Sequence, residues 1–264
     1  MEDVGFILQD KVDNGNQVAK ENAAMTSSIF KFPVTTLEKL KILSGTETKR
    51  VTTHDALTAL LYGAVCYARS LRFSQRSNGA CTVPSTMGIA VNGRNRIDPS
   101  MQDYTGNLTL YAAFSNPLSL PTSEIPPSLM TDTNELATRL NLPHLASQTH
   151  NAVAAVSFDY IMSTISLASA LPDVSVLQPS FSSFYQGMDF FISSGAGFPV
   201  FDDEWWPGGF VEASRIPLKA HWDGSCGVLA TKDRSAGLDV LLGLREDDMK
   251  VVKGILYAFG AYIA

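Results

Sequence analysis

The chain has 264 residues, 45% of them hydrophobic and 17% charged, with a formal net charge of -6. That balance suits one large folded domain or two small ones and excludes disorder along the whole length; the negative charge and the lack of a Lys/Arg cluster beyond Lys49-Arg50 exclude nucleic acid or an anionic membrane as the main partner. Cys66, Cys81 and Cys226 are far apart with no C-x-x-C spacing, no apolar run reaches the roughly 18 residues of a spanning helix, and the start lacks a leader pattern, so a cytoplasmic protein in a reducing compartment, without disulfides or zinc, is expected.

Residues 1–28 are polar and acidic without a sustained period and read as a linker-like flexible arm. Order is expected from Ile29 to Phe32, a short alternating strand, and the Thr35-to-Glu38 spacing suits a capping box on a helix carrying Leu37, Leu40 and Leu43. Thr52 or Thr53 can cap the clearest helix, whose apolar stripe runs through Ala56, Leu57, Leu60, Leu61, Ala64, Val65 and Ala68 to Ser70. Met87–Asn92 predicts a buried strand ending in a basic turn, Asn92 to Arg96, and Leu108–Phe114 a second strand. Prolines make 116–133 a non-helical connection. Helical periodicity returns at Asn134–Leu140 and from His150 to Leu171. Strands are predicted near 188–193, 211–217, 226–231 and 238–244, and Glu246-Asp247-Asp248 opens a terminal helix through Ile263. The mixture predicts an α/β class, a mixed sheet with flanking helices.

The segment from Asp189 to Gly209, DFFISSGAGFPVFDDEWWPGG, joins a strand to an acidic, tryptophan-rich loop. Trp205 and Trp206 favour burial, which would draw one of Asp202, Asp203 and Glu204 inward and demand a cationic partner; a solvent-exposed acidic loop is the alternative. Other patterns fall short. Gly195-Ala196-Gly197 lacks the third glycine and the following helix of a dinucleotide turn, and Gly224-Ser225-Cys226-Gly227 is one residue short of G-x-S-x-G. His221-Trp222-Asp223 leads into an Asp-Gly hairpin turn, His54 suits capping or packing, and Cys226 suits a small buried hydrophobe. His144 and His150 have no partner spacing, so no metal is expected.

Six landmarks in order resemble the C-terminal half of the BAHD acyltransferases, especially their fungal, trichothecene acetyltransferase-like branch. They are Ile29-Phe30-Lys31-Phe32 with Leu37 to Lys41; Val51-Thr52-Thr53-His54-Asp55-Ala56-Leu57, where the family has Asn at His54; Ala90-Val91-Asn92-Gly93-Arg94; Tyr104-Thr105-Gly106-Asn107; Ser193-Ser194 through Pro199 and Asp202; and Gly243-Leu244-Arg245-Glu246-Asp247-Asp248-Met249. The resemblance implies a coenzyme-A-transferase-like domain over 29–264. It implies acyl transfer from a coenzyme A thioester, most simply acetyl-CoA, to a small-molecule acceptor of fungal secondary metabolism, with no bound cofactor. It places Gly106, Asn107, Ser193 and Ser194 along the reaction channel and makes Arg94 the salt-bridge partner of Glu204, a structural clamp.

The departures bear on activity. The family's general base is the His of an H-x-x-x-D motif in the N-terminal domain, and four residues after His54, His144, His150 and His221 stand Thr58, Gln148, Ala154 and Ser225. Gly195 replaces the Trp of T-S-W, which puts an oxyanion contribution in doubt. The chain reads as a truncated, weakly active second domain, with no catalytic residue of its own assigned. The rival expectation is a non-catalytic domain that binds a separate N-terminal half or a related enzyme.

Overall fold

In a computed structural model, residues 5–8, 23–46, 50–76, 83–118, 125, 130–181, 189–202, 204–215 and 223–264 are described. Cys81, Asp203, His221 and Trp222 lie outside them. The predicted strand at 29–32 is the end of a longer one, β2 (Met25–Phe32), and a further strand, β1 (Phe6–Leu8), falls within the expected arm. Helix α1 (Val34–Ser44) starts after Pro33 with no side-chain cap, so the Thr35–Glu38 spacing is not used as a capping box. The box sits one helix later. Thr52 Oγ1 accepts from the Asp55 amide at 3.1 Å and Asp55 Oδ2 accepts from the Thr52 amide at 2.9 Å, opening α2 (Thr53–Arg76).

After α2 come β3 (Val83–Asn92), a single turn α3 (Arg94–Ile97), and β4 (Thr109–Leu118), which extends into the segment predicted as a connection. Pro117 is tolerated there because β4 is an edge strand. Helices α4 (Thr133–Arg139), α5 (Leu142–Ala155) and α6 (Phe158–Ala170) follow; the predicted helix from His150 to Leu171 breaks where Ser157 caps α6 by accepting from the Tyr160 amide. The second half contributes β5 (Leu177–Pro179), β6 (Phe190–Ser194), the hairpin β7 (Glu204–Trp206) and β8 (Gly209–Phe210), then β9 (Ser225–Leu229) and β10 (Leu238–Arg245). Helix α7 (Glu246–Ala258) ends earlier than predicted, at the positive-φ Gly260, and Tyr262–Ile263 return as β11. No strand forms over 211–215, where one was expected.

Seven strands make the main sheet in the order β11-β2-β10-β9-β6-β3-β4, antiparallel except for the parallel pairs β3–β6 and β6–β9. Alternate residues Phe30 and Phe32, Met87, Ile89 and Val91, Phe190 and Ile192, Cys226 and Val228, and Val240, Leu242 and Leu244 face one way. They join the stripes of α1, α2, α5 and α7 in one buried core. The opposite face carries Tyr111 and Phe191, against which Phe181 packs, stacked on Phe191 at 5.2 Å and edge-on to Tyr111 at 5.1 Å. Phe6 adds to that cluster at 5.2 Å from Tyr111, while β1 pairs with β5.

The lower end of α2 is fastened by two arginines. Arg69, fully buried, donates to the Asp189 carbonyl at 3.0 Å and to Asp223 Oδ1 at 3.2 Å; Arg72 makes a two-pronged pair with Asp248 at 3.0 to 3.2 Å. A side chain at Gly224, where φ is +91°, would meet the Arg69 guanidinium and the Asp189 carbonyl, which ties that glycine to the clamp. Cys66 and Cys226 are both buried free thiols, and burial pushes Cys66 up to about 11 and Cys226 higher still. Replacing Asp248, which is 1% exposed, by Ala leaves the Arg72 charge uncompensated and is expected to cost about 3–5 kcal/mol in urea unfolding. Asp247→Ala, at a 76% exposed side chain one residue away, stays within about 0.5 kcal/mol.

Candidate functional site

The parallel strands β3, β6 and β9 end on the same edge of the sheet, where Asn92, Ser194 and Leu229 stand and where β4 begins at Thr109. Open α/β sheets place ligands beyond such carboxyl ends. Gly106, Asn107, Ser193, Ser194 and Arg94 are all brought to this end by strand register. Ser193 alternates with core-facing Ile192 and so points to the opposite face, while Ser194 is exposed at the strand terminus.

Arg94 does not reach Glu204. Its Nε donates to the Tyr104 carbonyl at 2.7 Å, Nη2 to the Gly106 carbonyl at 2.6 Å and Nη1 to Asn92 Oδ1 at 3.3 Å. The guanidinium therefore ties down the Tyr104–Asn107 turn. Within that turn the Tyr104 ring covers Gly106, where a Cβ would collide with the phenol, and Asn107 Oδ1 accepts from the Thr109 amide at 3.0 Å. Asn107 thus shapes the turn through its side-chain oxygen.

The acidic loop is the exposed alternative. Trp205 and Trp206 are each 60% exposed; Trp205 Nε1 donates to the Val200 carbonyl at 3.0 Å, and Trp206 lies over Gly209. The Glu204 carboxylate accepts from the Gly208 amide across the Pro207-Gly208 turn, where Gly208 has φ of +75°. With the indoles exposed and the Glu204 carboxylate bonded to its own turn, the hairpin creates no buried charge that needs a cation. Beside it, Gly195 donates to the Val228 carbonyl at 2.8 Å, and the Phe198 ring occupies the space into which a side chain at 195 would grow.

Two features were not read from the sequence. Arg96 donates to the carbonyls of Val153 and Val156, both at 2.7 Å, capping the end of α5; its own partial burial lowers its pKa. His150, one turn earlier on α5, sets Nδ1 3.0 Å from Asp55 Oδ2, a partner 95 residues away that no local spacing reveals. Next to Asp55, burial lowers the pKa of His54 against the attraction of that carboxylate, so His54 is a neutral packing residue at neutral pH. An open groove lined by Glu38, Lys41, Ile42, Arg50 and Val51 lies beside the end of α1 and holds none of these groups. Among the described residues no cluster of His, Cys, Asp and Glu could hold a metal.

Arg94→Ala is expected to cost about 1–2 kcal/mol by releasing two carbonyls, with faster amide exchange from Gly106 to Leu108. Glu204→Gln should stay within about 0.5 kcal/mol, and the double variant should be additive. A coupling above about 1 kcal/mol in that cycle would restore the ion pair.

Comparison with known proteins extends the resemblance. The chain is 25% identical over 229 residues to eremophilane O-acetyltransferase prx11 of Penicillium rubens, covering 85% of this chain and 44% of that protein. It is 24% identical over 226 residues to eremophilane O-acetyltransferase ORF8 of Penicillium roqueforti, with the same coverage. The chain thus spans less than half the length of these relatives. Its fold superposes on F. sporotrichioides TRI101, solved with coenzyme A and T-2, with a TM-score of 0.69 at 20% identity, over 91% of this chain and 52% of that one. Residues 7–258 match the Transferase family, and the chain belongs to it, a member of the BAHD acyltransferases.

Proposed function

We propose that the chain takes part in acyl-CoA-dependent O-acylation of a hydroxylated natural product, with acetyl-CoA as donor and a terpenoid alcohol as acceptor. The observation that carries the reading is the family match over residues 7–258, supported by similarity to eremophilane O-acetyltransferases. The fold adds a physical reason. Beyond the end of β6 nothing stands within 4 Å of the place where a side chain at Gly197 would begin, and Ser193 and Ser194 offer hydroxyls that can orient an acceptor. In this reading the Arg94-bound turn holds the rim of the site and does not touch the acyl group.

The test is direct. Purified chain with acetyl-CoA and a hydroxylated eremophilane is expected to yield the O-acetyl ester, seen by mass spectrometry with release of one coenzyme A per ester. Coenzyme A release with no ester, or neither product with any short acyl thioester, would count against the reading.

A second reading, a domain that works with a separately encoded half or a related enzyme, is favoured by α6. This helix carries a single charge, Asp159, and leaves Phe158, Met162, Ile165 and Leu167 each at least 39% exposed, with Ile161 its one buried residue. An amphipathic surface helix normally turns a polar face to water. In size-exclusion chromatography the 28.5 kDa chain is expected to self-associate or to capture a related acyltransferase, and Ile165→Glu to abolish it. A clean monomer that binds no such partner would exclude this reading.

A further inference from the structure

We infer that the β7–β8 hairpin is a docking surface for a basic segment of a partner protein, separate from the apolar face of α6. Between Gly195 and Ser214 the sequence holds five aromatic residues and four acids, with no Lys, Arg or His. The structure turns the rings outward: Phe198 is 62% exposed, Trp205 and Trp206 60% each and Phe210 56%. Large apolar side chains left this open within one short stretch mark an interaction site. The rings are also held in place before any partner arrives. The Trp205 Nε1 bond to the Val200 carbonyl brings the Phe198 segment against the hairpin, and Glu204 pairs with Phe210 across the ladder. The Trp206 ring lies across Gly209, whose lack of a side chain makes room for it. Rings fixed in this way lose little freedom on binding and serve as anchors.

Charge selects the occupant. The face of an indole is electron-rich and attracts a guanidinium or ammonium group. Asp202 and Glu212, both exposed and without an ion-pair partner among the described residues, lie on either side of the hairpin in sequence. Arg215, the cation nearest to Glu212 in sequence, is turned onto the Ser214 carbonyl. The same acids repel phosphate, which excludes nucleic acid and anionic lipid as occupants. With three-fifths of each indole open, the rings form a platform rather than an enclosed cage. The cation that fits a platform is a side chain carried on a polypeptide, arginine above all, because its plane stacks on an indole while its donors reach a neighbouring carboxylate.

Calorimetric titration of the full chain with a short Arg-Gly repeat peptide, blocked at both ends, tests the surface without any acyl substrate. Saturable binding is expected, with quenching of tryptophan fluorescence and weakening as salt rises. Trp205→Leu with Trp206→Leu should weaken it at least about tenfold, whereas Trp205→Phe with Trp206→Phe, which keeps the aromatic faces, should stay within about threefold. Asp202→Asn with Glu212→Gln is expected to weaken it about fivefold. Asp159→Asn with Asp247→Asn, which removes the same charge elsewhere on the exposed surface, and Ile165→Glu on α6 should both stay within about twofold. No saturable binding, equal binding of the citrulline counterpart, a Leu pair within twofold of the unaltered chain, or equal loss from both pairs of acid variants overturns the inference. So does arginine amide that binds as tightly as the peptide, which would make this a small-cation site, or phosphatidylcholine vesicles that bind in its place through the same tryptophans.

Discussion

The fold depends on how one long helix is held to the sheet it covers. Helix α2 contributes more residues to the buried core than any other element, and apolar packing alone would fix its depth more firmly than its position along its own axis. Arg69 and Arg72, three residues apart on one face, remove that freedom. The first grips the starts of β6 and β9 through the Asp189 carbonyl and Asp223, the second the start of α7 through Asp248. These buried charges are held by their carboxylate and carbonyl partners, with Arg69 Nε left without one among the described residues. With the lower end fixed, the rise of the helix decides where Thr52, His54 and Asp55 stand relative to the strand ends.

This arrangement makes the two ends of the sheet different in kind. The lower end is dry and ionic, with the carboxylates of Asp189, Asp223 and Asp248 all buried. The upper end is built from turns, held by the Arg94 fork, the Asn107 turn and the Arg96 cap. Loops that carry function sit on such a rigid platform because the platform, not the loop, bears the energetic load of folding.

What was legible in the sequence divides along the same line. Strand and helix periodicities gave β6, β9, β10 and α4 to within two residues, and β3 and α2 with one end four and six residues short, because burial on one face leaves a regular trace. The break between α5 and α6 was missed because the apolar composition continues through Ser157, whose capping contact is a single local event. The arginine clamp was sought at Arg94 and found at Arg69 and Arg72. Both fall on the stripe through Thr58, Tyr62 and Val65, and Asp248 likewise precedes Met249 and Val252 on the inner face of α7. A charge on an apolar stripe is the local signal of a buried pair, whereas a charge beside tryptophans is not. The His150–Asp55 contact had no such signal, since it depends on how two helices cross.

Tyr160 joins three parts of the chain that are distant in sequence. Its hydroxyl donates to the Tyr111 carbonyl on the outer strand at 3.1 Å and accepts from the Gly5 amide at 3.2 Å, while Phe6 leans on the Tyr111 ring. One phenol on α6 therefore fastens both the sheet edge and the N-terminal segment. The backbone pairing of residues 5–8 is with β5, in a two-stranded sheet separate from the main one, so their hold on the main sheet runs through this phenol and the Tyr111 ring rather than through a strand ladder.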